Sequence, residues 1–243
     1  MMKKLFTYLL AIIFPLYLMG AGLWSAEKAR KCEYAGVQIA VVDSARAQYF
    51  TSAEILEQVR GYLPADAGIA LSKVDTDSLE AMLRRNHLIA EVECYKTPSG
   101  LLRIDVWQCV PVLRVFGNNG SYFIDEHGRI ISGSLPVAVR VPVATGNISS
   151  EFACGELYPF ALFLQKSAFW RAQIEQIYVG SEQDIVLIPR VGDHRIVMGG
   201  MDDYREKLNN LRCFYDQALS QCGWNKYKTI NLKYKNQVVA TRK

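Results

Sequence analysis

Apolar residues along this chain follow three rhythms, and each predicts a different kind of element. The first is an unbroken run. Leu5 to Trp24 carries no charge over twenty positions, and a helix of that length spans roughly 30 Å, the hydrocarbon thickness of a bilayer. A cleaved secretory signal would have a basic start, an apolar run of about 7–15 residues and a small-residue cleavage site. Lys3 and Lys4 supply the start and Gly20-Ala21-Gly22 a weak site, but Leu23 and Trp24 carry the apolar run past it. A retained anchor over 5–24 is the expectation, behind a cytoplasmic tail of residues 1–4 and with Trp24 at the interface. Lys3 and Lys4 on one side face Lys28, Arg30 and Lys31 on the other, so charge barely orients the span. The shortness of the tail favours sending the long C-terminal part outward.

The second rhythm has period two and the third a helical period. Val37–Val42 alternates and reads as a strand. Thr51 and Glu54 form a capping box before Ile55, Leu56, Val59 and Leu63, which share one helix face ending near Pro64. A second helix from Asp75 or Thr76 buries Leu79, Met82 and Leu83, with Arg84 and Arg85 at its negative end. Ile89–Tyr95 and Leu101–Val106 alternate around Pro98-Ser99-Gly100 and predict a hairpin. Further on, Val110–Val115 and Tyr122–Ile130 predict strands, with a turn that Asp125 shapes. Val141–Gly146 is extended, and Leu157–Trp170 is a helix rich in aromatics. Strands follow at Ile174–Val179, Asp184–Arg190 and His194–Gly199. An amphipathic helix over Asp203–Ser220 carries Leu208, Leu211 and Tyr215 on one side, and the final strands are Thr229–Tyr234 and Gln237–Thr241.

The first outer unit therefore runs β-α-α-β-β, an order that resembles the POTRA (polypeptide-transport-associated) domain. Five motifs then stand in order: Val110-Pro111-Val112-Leu113-Arg114-Val115, Phe123-Ile124-Asp125-Glu126-His127-Gly128-Arg129, Val141-Pro142-Val143-Ala144-Thr145-Gly146, Gln173-Ile174-Glu175-Gln176-Ile177-Tyr178-Val179 and Ile230–Val239. On these the whole chain resembles the bacterial divisome family FtsQ/DivIB. The resemblance implies an α+β fold: a single N-terminal transmembrane helix, a POTRA domain over 35–106, and a β-domain of mostly antiparallel strands with flanking helices over 107–243. Two positions depart from the family pattern. Cys109-Val110 replaces the charged residue before the proline, and Asn236-Gln237 stands where the last hairpin usually has glycine. With the final strand at the end of the sequence, the expectation is FtsQ of a Gram-negative envelope rather than DivIB.

Composition narrows the chemistry. Half the residues are hydrophobic, 21% are charged and the net charge is +4, a globular balance without the basic, aromatic-studded stretches of a nucleic-acid binder. Cys32, Cys94, Cys109, Cys154, Cys213 and Cys222 are widely spaced with no C-x-x-C. In an oxidising compartment one disulfide at most is expected. His87, His127 and His194 sit at no metal-ligand spacing, and neither G-x-S-x-G nor H-E-x-x-H occurs. A Cys154–His194 or Cys222–His194 nucleophile pair is the only enzymatic arrangement that can be drawn. The expectation is a non-enzymatic contact protein without metal, cofactor, small-molecule substrate or nucleic acid.

The resemblance also implies how it works: held in the inner membrane with its outer domains in the periplasm at the septum, it takes FtsB and FtsL-like proteins as partners through strand addition at its C-terminal edge. Tyr234, Asn236, Val238 and Val239 are the expected partner-binding residues, and the POTRA domain would meet other division proteins. Two alternatives stay open, a POTRA-bearing envelope transport factor and a Cys–His envelope hydrolase.

Overall fold

The structure, a computed structural model, describes residues 13–17, 19–20, 32–44, 48–63 and 69–243. Most of the expected anchor 5–24, the tail 1–4 and the helix stop at Pro64 lie outside the described residues. Of the apolar run, 13–17 and 19–20 are helical, with Ile13, Phe14, Leu16, Tyr17 and Met19 exposed. No helix among the described residues is long and apolar enough to cross a membrane. The chain divides into two compact units that meet at Gln108/Cys109.

The first unit is a three-stranded sheet with two short helices. Its strands are β1 (Gly36–Val41), β2 (Ile89–Lys96) and β3 (Leu101–Gln108), in the order β1-β3-β2. β2 and β3 form an antiparallel hairpin, whereas β1 runs parallel to β3 with Ile39 opposite Ile104. A parallel pair needs a crossover. Helices α1 (Ser52–Val59) and α2 (Thr76–Leu83) supply it. The Thr51 hydroxyl accepts from the Glu54 amide at 3.3 Å and the Glu54 carboxylate accepts from the Thr51 amide at 2.7 Å, the reciprocal cap the sequence predicts. Asp75 caps α2 by accepting from the Asp77 and Ser78 amides. Ile55, Val59, Leu79, Leu83, Val92, Leu102, Ile104 and Val106 make the core. α1 is shorter than expected, giving way to a 3-10 turn over Arg60–Tyr62, because Gly61 is a poor helix former. Leu63 still packs on the core.

The second unit is a nine-stranded sheet covered by helices on one face. Its strands are β4 (Pro111–Gly117), β5 (Gly120–Asp125), β6 (Ile130–Ser132), β7 (Val143–Gly146), β8 (Ile174–Val179), β9 (Ile185–Pro189), β10 (Arg195–Gly199), β11 (Tyr227–Asn231) and β12 (Val239–Arg242). The order is β12-β11-β10-β9-β8-β7-β4-β5-β6. Pairings β4–β7, β7–β8 and β10–β11 are parallel and the other five antiparallel. One inward row crosses the sheet in register: Tyr122, Val115, Ala144, Ile177, Leu187, Ile196, Ile230 and Ala240. The alternation that makes these strands also aims one residue of each at the same layer. Packed on that row are α3 (Ser150–Phe152), α4 (Tyr158–Lys166), α5 (Ala168–Gln173), α6 (Tyr204–Phe214) and α7 (Ser220–Cys222). Phe160 of α4 meets Tyr204 of α6 edge-to-face at 5.2 Å. Residues one step along, such as Phe116, Tyr178 and Val239, face outward and are exposed.

Three helical details differ from the sequence expectation. The helix expected over Leu157–Trp170 begins at Ser150, where the Ser149 hydroxyl accepts from the Phe152 amide at 3.1 Å. It passes through a π turn over Ala153–Leu157 just ahead of Pro159, whose ring and missing N–H prevent a regular i→i−4 bond. It then breaks at Ser167, which recaps α5 by accepting from the Trp170 amide. The helix expected over Asp203–Ser220 likewise loosens into a π turn at Tyr215–Leu219. Asp125 shapes its turn from a buried position, accepting from the amides of His127 and Arg129 and from Arg129 Nε at 2.8 Å.

Tyr215 and His194 form a polar knot inside this core, with Tyr215 Oη 2.7 Å from His194 Nε2 and Trp224 stacked on the imidazole. Burial pushes His194 below its ordinary range; the Trp224 carbonyl and the Asp193 carboxylate, itself ion-paired with Lys243, oppose this less strongly. Burial also pushes Tyr215 up, with Gln173 opposing, so both partners are neutral. A histidine whose folded pKa lies below its unfolded value leaves the unfolded chain binding more protons, so stability rises with pH across that window. We expect the urea midpoint to be level above pH 6.5 and to fall as pH drops below it. His194→Gln should flatten the dependence between pH 6.5 and 5.5. An unchanged slope in that variant would rule out His194 as its source.

Candidate functional site

β12 is one edge of the large sheet, with β11 on one side and no described strand on the other. Two backbone bonds outside the regular ladder fix the direction in which it is open. Leu232 N donates to Val197 O at 2.8 Å, so even-numbered amides of β11 face β10. Lys243 N donates to Lys226 O at 3.2 Å, so odd-numbered amides of β12 face β11. Strand amides alternate sides. With Thr241 opposite Thr229 and Val239 opposite Asn231, Ala240 and Arg242 aim their N–H and C=O groups outward. An edge of this kind is a template for another strand.

The expected partner-binding residues fall in three settings. Val239 opens β12 and is 45% exposed on the helix-free face. Val238, just before the strand, packs against the core. Tyr234, 57% exposed, and Asn236 lie in the connection rather than in a strand. The expected strands Thr229–Tyr234 and Gln237–Thr241 thus shift: β11 ends at Asn231 and β12 starts at Val239. Asn231 explains the early stop, because its side-chain oxygen accepts from the Lys233 amide at 2.9 Å and turns the chain. Asn236 has φ +58. It fills the left-handed position that glycine usually takes, since asparagine tolerates that region better than most residues.

The connection borders a small cavity of about 110 Å³, with Asp202, Asp203 and Glu206 at the start of α6 on one wall and Tyr234, Lys235 and Asn236 on the other. Lys207 donates to the Gly200 carbonyl and approaches Asp202, and Lys233 pairs with Asp184. At the far end of β12, Lys243 pairs with Asp193. The Lys233–Asp184 and Lys243–Asp193 pairs flank the two ends of the edge strand, where solvent screens them and leaves each a weak contribution. Ala240 and Arg242, whose backbone groups point outward, are edge positions that sequence reasoning missed. Their alternation is visible in Val239–Arg242, but which of the two sets faces outward depends on register.

The remaining candidates for chemistry are spread apart. His194 is engaged by Tyr215 rather than by a thiol, and burial pushes the Cys154 thiol up. Burial and Glu80 push Cys94 up to about 12, which makes it an inert core residue. No disulfide joins the described cysteines. No cluster of three His, Cys, Asp or Glu able to hold a metal occurs among the described residues.

The geometry defines a class: a two-unit α+β protein in which a POTRA-like domain precedes a large sheet with an open C-terminal edge. Residues 30–107 match the POTRA-like domain, and residues 110–241 match the family described as FtsQ/DivIB, C-terminal related. The chain belongs to the FtsQ/DivIB family. It is 30% identical over 159 residues to a cell division protein FtsQ from Anaeromyxobacter sp. (strain K), an alignment covering 61% of this chain and 53% of that protein. The chain thus spans about half the length of this curated relative.

Proposed function

We propose that the chain is a non-enzymatic divisome scaffold of the FtsQ type, held in the inner membrane by 5–24 with its two units in the periplasm. The β12 edge receives a strand from an FtsB-like segment that arrives with an FtsL-like protein, and the POTRA-like domain over 35–106 meets other division proteins. The observation that carries this reading is the pair of outward backbone positions at Ala240 and Arg242. An added strand gains affinity from backbone hydrogen bonds and selectivity from alternate side chains. Val239 would lie beside that strand on the open face, with Tyr234 and Asn236 receiving the segment that leads into it and Val238 holding the hairpin to the core. Partners anchored in the same membrane share a raised effective concentration, so a modest intrinsic affinity is sufficient.

Ala240→Pro tests the proposal, because proline there removes an outward donor and leaves the bonds to β11 intact. Capture of the FtsB-like partner should weaken about tenfold or more, since a lost net hydrogen bond and the obstructing ring act together. The melting temperature should change little. Unaltered affinity in a folded Ala240→Pro chain would refute strand addition at this edge. Tyr234→Ala, exposed and outside any strand, is the milder probe of the adjoining surface.

A further inference from the structure

Away from the edge, three arginines line one cleft of the second unit. The cleft has a volume of about 260 Å³. Arg140 comes from the segment leading into β7, Arg171 from α5, and Arg190 from the residue after β9; Val141, Pro142 and Ile174 give it an apolar lining. Backbone bonds hold all three walls. Arg190 N donates to Gln173 O at 2.7 Å, Arg171 N to Ser167 O at 2.9 Å, and Pro142 O accepts from Arg114 N at 3.0 Å.

Among the described residues no carboxylate lines the cleft. Several arginines elsewhere are paired with carboxylates, among them Arg84 with Glu80, Arg103 with Asp105, Arg129 with Asp125 and Arg212 with Asp216. Arg114 and Arg205 lie over aromatic rings. Among the described residues the guanidinium groups of Arg140, Arg171 and Arg190 have neither kind of partner and share one concavity.

We propose that this cleft binds a phosphate-type oxyanion, presented as a free pyrophosphate or as the headgroup of an anionic lipid. A guanidinium matches phosphate oxygens with a planar, bidentate fork. Like charges around one concavity also add their potentials and concentrate anions there. The apolar lining removes competing water from one side. A plainer account is three solvated cations whose stems cover Ile174 and Pro142. That arrangement attracts anions by charge alone and is indifferent to their geometry.

Calorimetric titration of the full chain with sodium pyrophosphate, beside citrate, separates the two accounts. The expected result is one saturable pyrophosphate site that citrate fills at least tenfold more weakly. Arg140→Ser, Arg171→Ser and Arg190→Ser should each weaken pyrophosphate about tenfold or more, as expected for loss of a charge-assisted bond. Arg171→Lys, which keeps the charge but loses the fork, should fall between. Arg195→Ser, on β10 outside the cleft, should leave binding unchanged and reports on general charge. Phosphatidylglycerol vesicles distinguish the sources. Vesicle binding that pyrophosphate displaces assigns the cleft to a headgroup, and binding that it leaves unaffected assigns the cleft to the soluble anion. Equal affinity for citrate, no saturable binding, or pyrophosphate affinity unchanged by the three serine variants would overturn the proposal.

Discussion

Phe160→Ala is expected to lower the unfolding free energy of the second unit by about 4 kcal/mol, the range for deleting a buried aromatic ring. Phe160 is fully buried in the core of the second unit. Its ring meets Tyr204 of α6 at 5.2 Å while the inward row of the sheet lies beneath. The surroundings are strands and two helices tied by their own hydrogen bonds, so the space left by the ring cannot close by a small local shift. Urea unfolding followed by Trp170 and Trp224 fluorescence measures the loss. Phe163, on the same helix and only partly buried, is the control, since Phe163→Ala should cost far less. A Phe160→Ala midpoint within error of the parent would mean that α4 does not seat on the sheet as described.

Gly146→Ala is expected to cost about 3 kcal/mol, for reasons of backbone rather than packing. Gly146 ends β7 with φ +113, a conformation that residues with a Cβ rarely adopt. An added Cβ would also run into the carbonyl oxygen of Val179, which already accepts from the Asn147 amide at 2.9 Å. Neither conflict can relax cheaply, because β7 is clamped between β4 and β8 near the middle of the sheet. For a unit of this size the loss corresponds to roughly 10 °C in melting temperature. Gly120, also at positive φ but with open space around it, separates the two causes. Gly120→Ala should show the backbone cost alone, and an equal loss at both sites would show that the Val179 carbonyl contributes nothing.

These two sites show why the motifs could be read before their purpose was. Val115, Ala144 and Ile177 come from three of the motifs and become neighbours in the inward row, across the parallel strands β4, β7 and β8. Alternation announced each strand and hid the parallel pairing, since a pattern of period two carries no direction. The caps at Thr51 and Asp75 were legible because their partners lie three residues away or fewer. Ser149 uses the same device, but the Leu-rich stretch after Gly155 drew the expected start of the helix seven residues too late. In the candidate site Val239 was legible as an exposed strand residue. The outward set, Ala240 and Arg242, was not, because it is decided by register with Thr229 and Asn231. Nor could the arginine cleft be read, since Arg140, Arg171 and Arg190 are neighbours only once the fold has formed.

The parallel pairing of β10 and β11 has a consequence in time. Antiparallel β8, β9 and β10 follow one another through short turns, whereas β11 reaches β10 only after the chain has crossed the helical layer through α6. Contacts that require closing such a long loop form later than those across a turn. Until β11 docks, β10 is the open edge, and a strand arriving early would find the place reserved for the chain's own. The topology therefore sets a sequence of events: the sheet must first complete itself with β11 and β12 before β12 becomes its exposed edge.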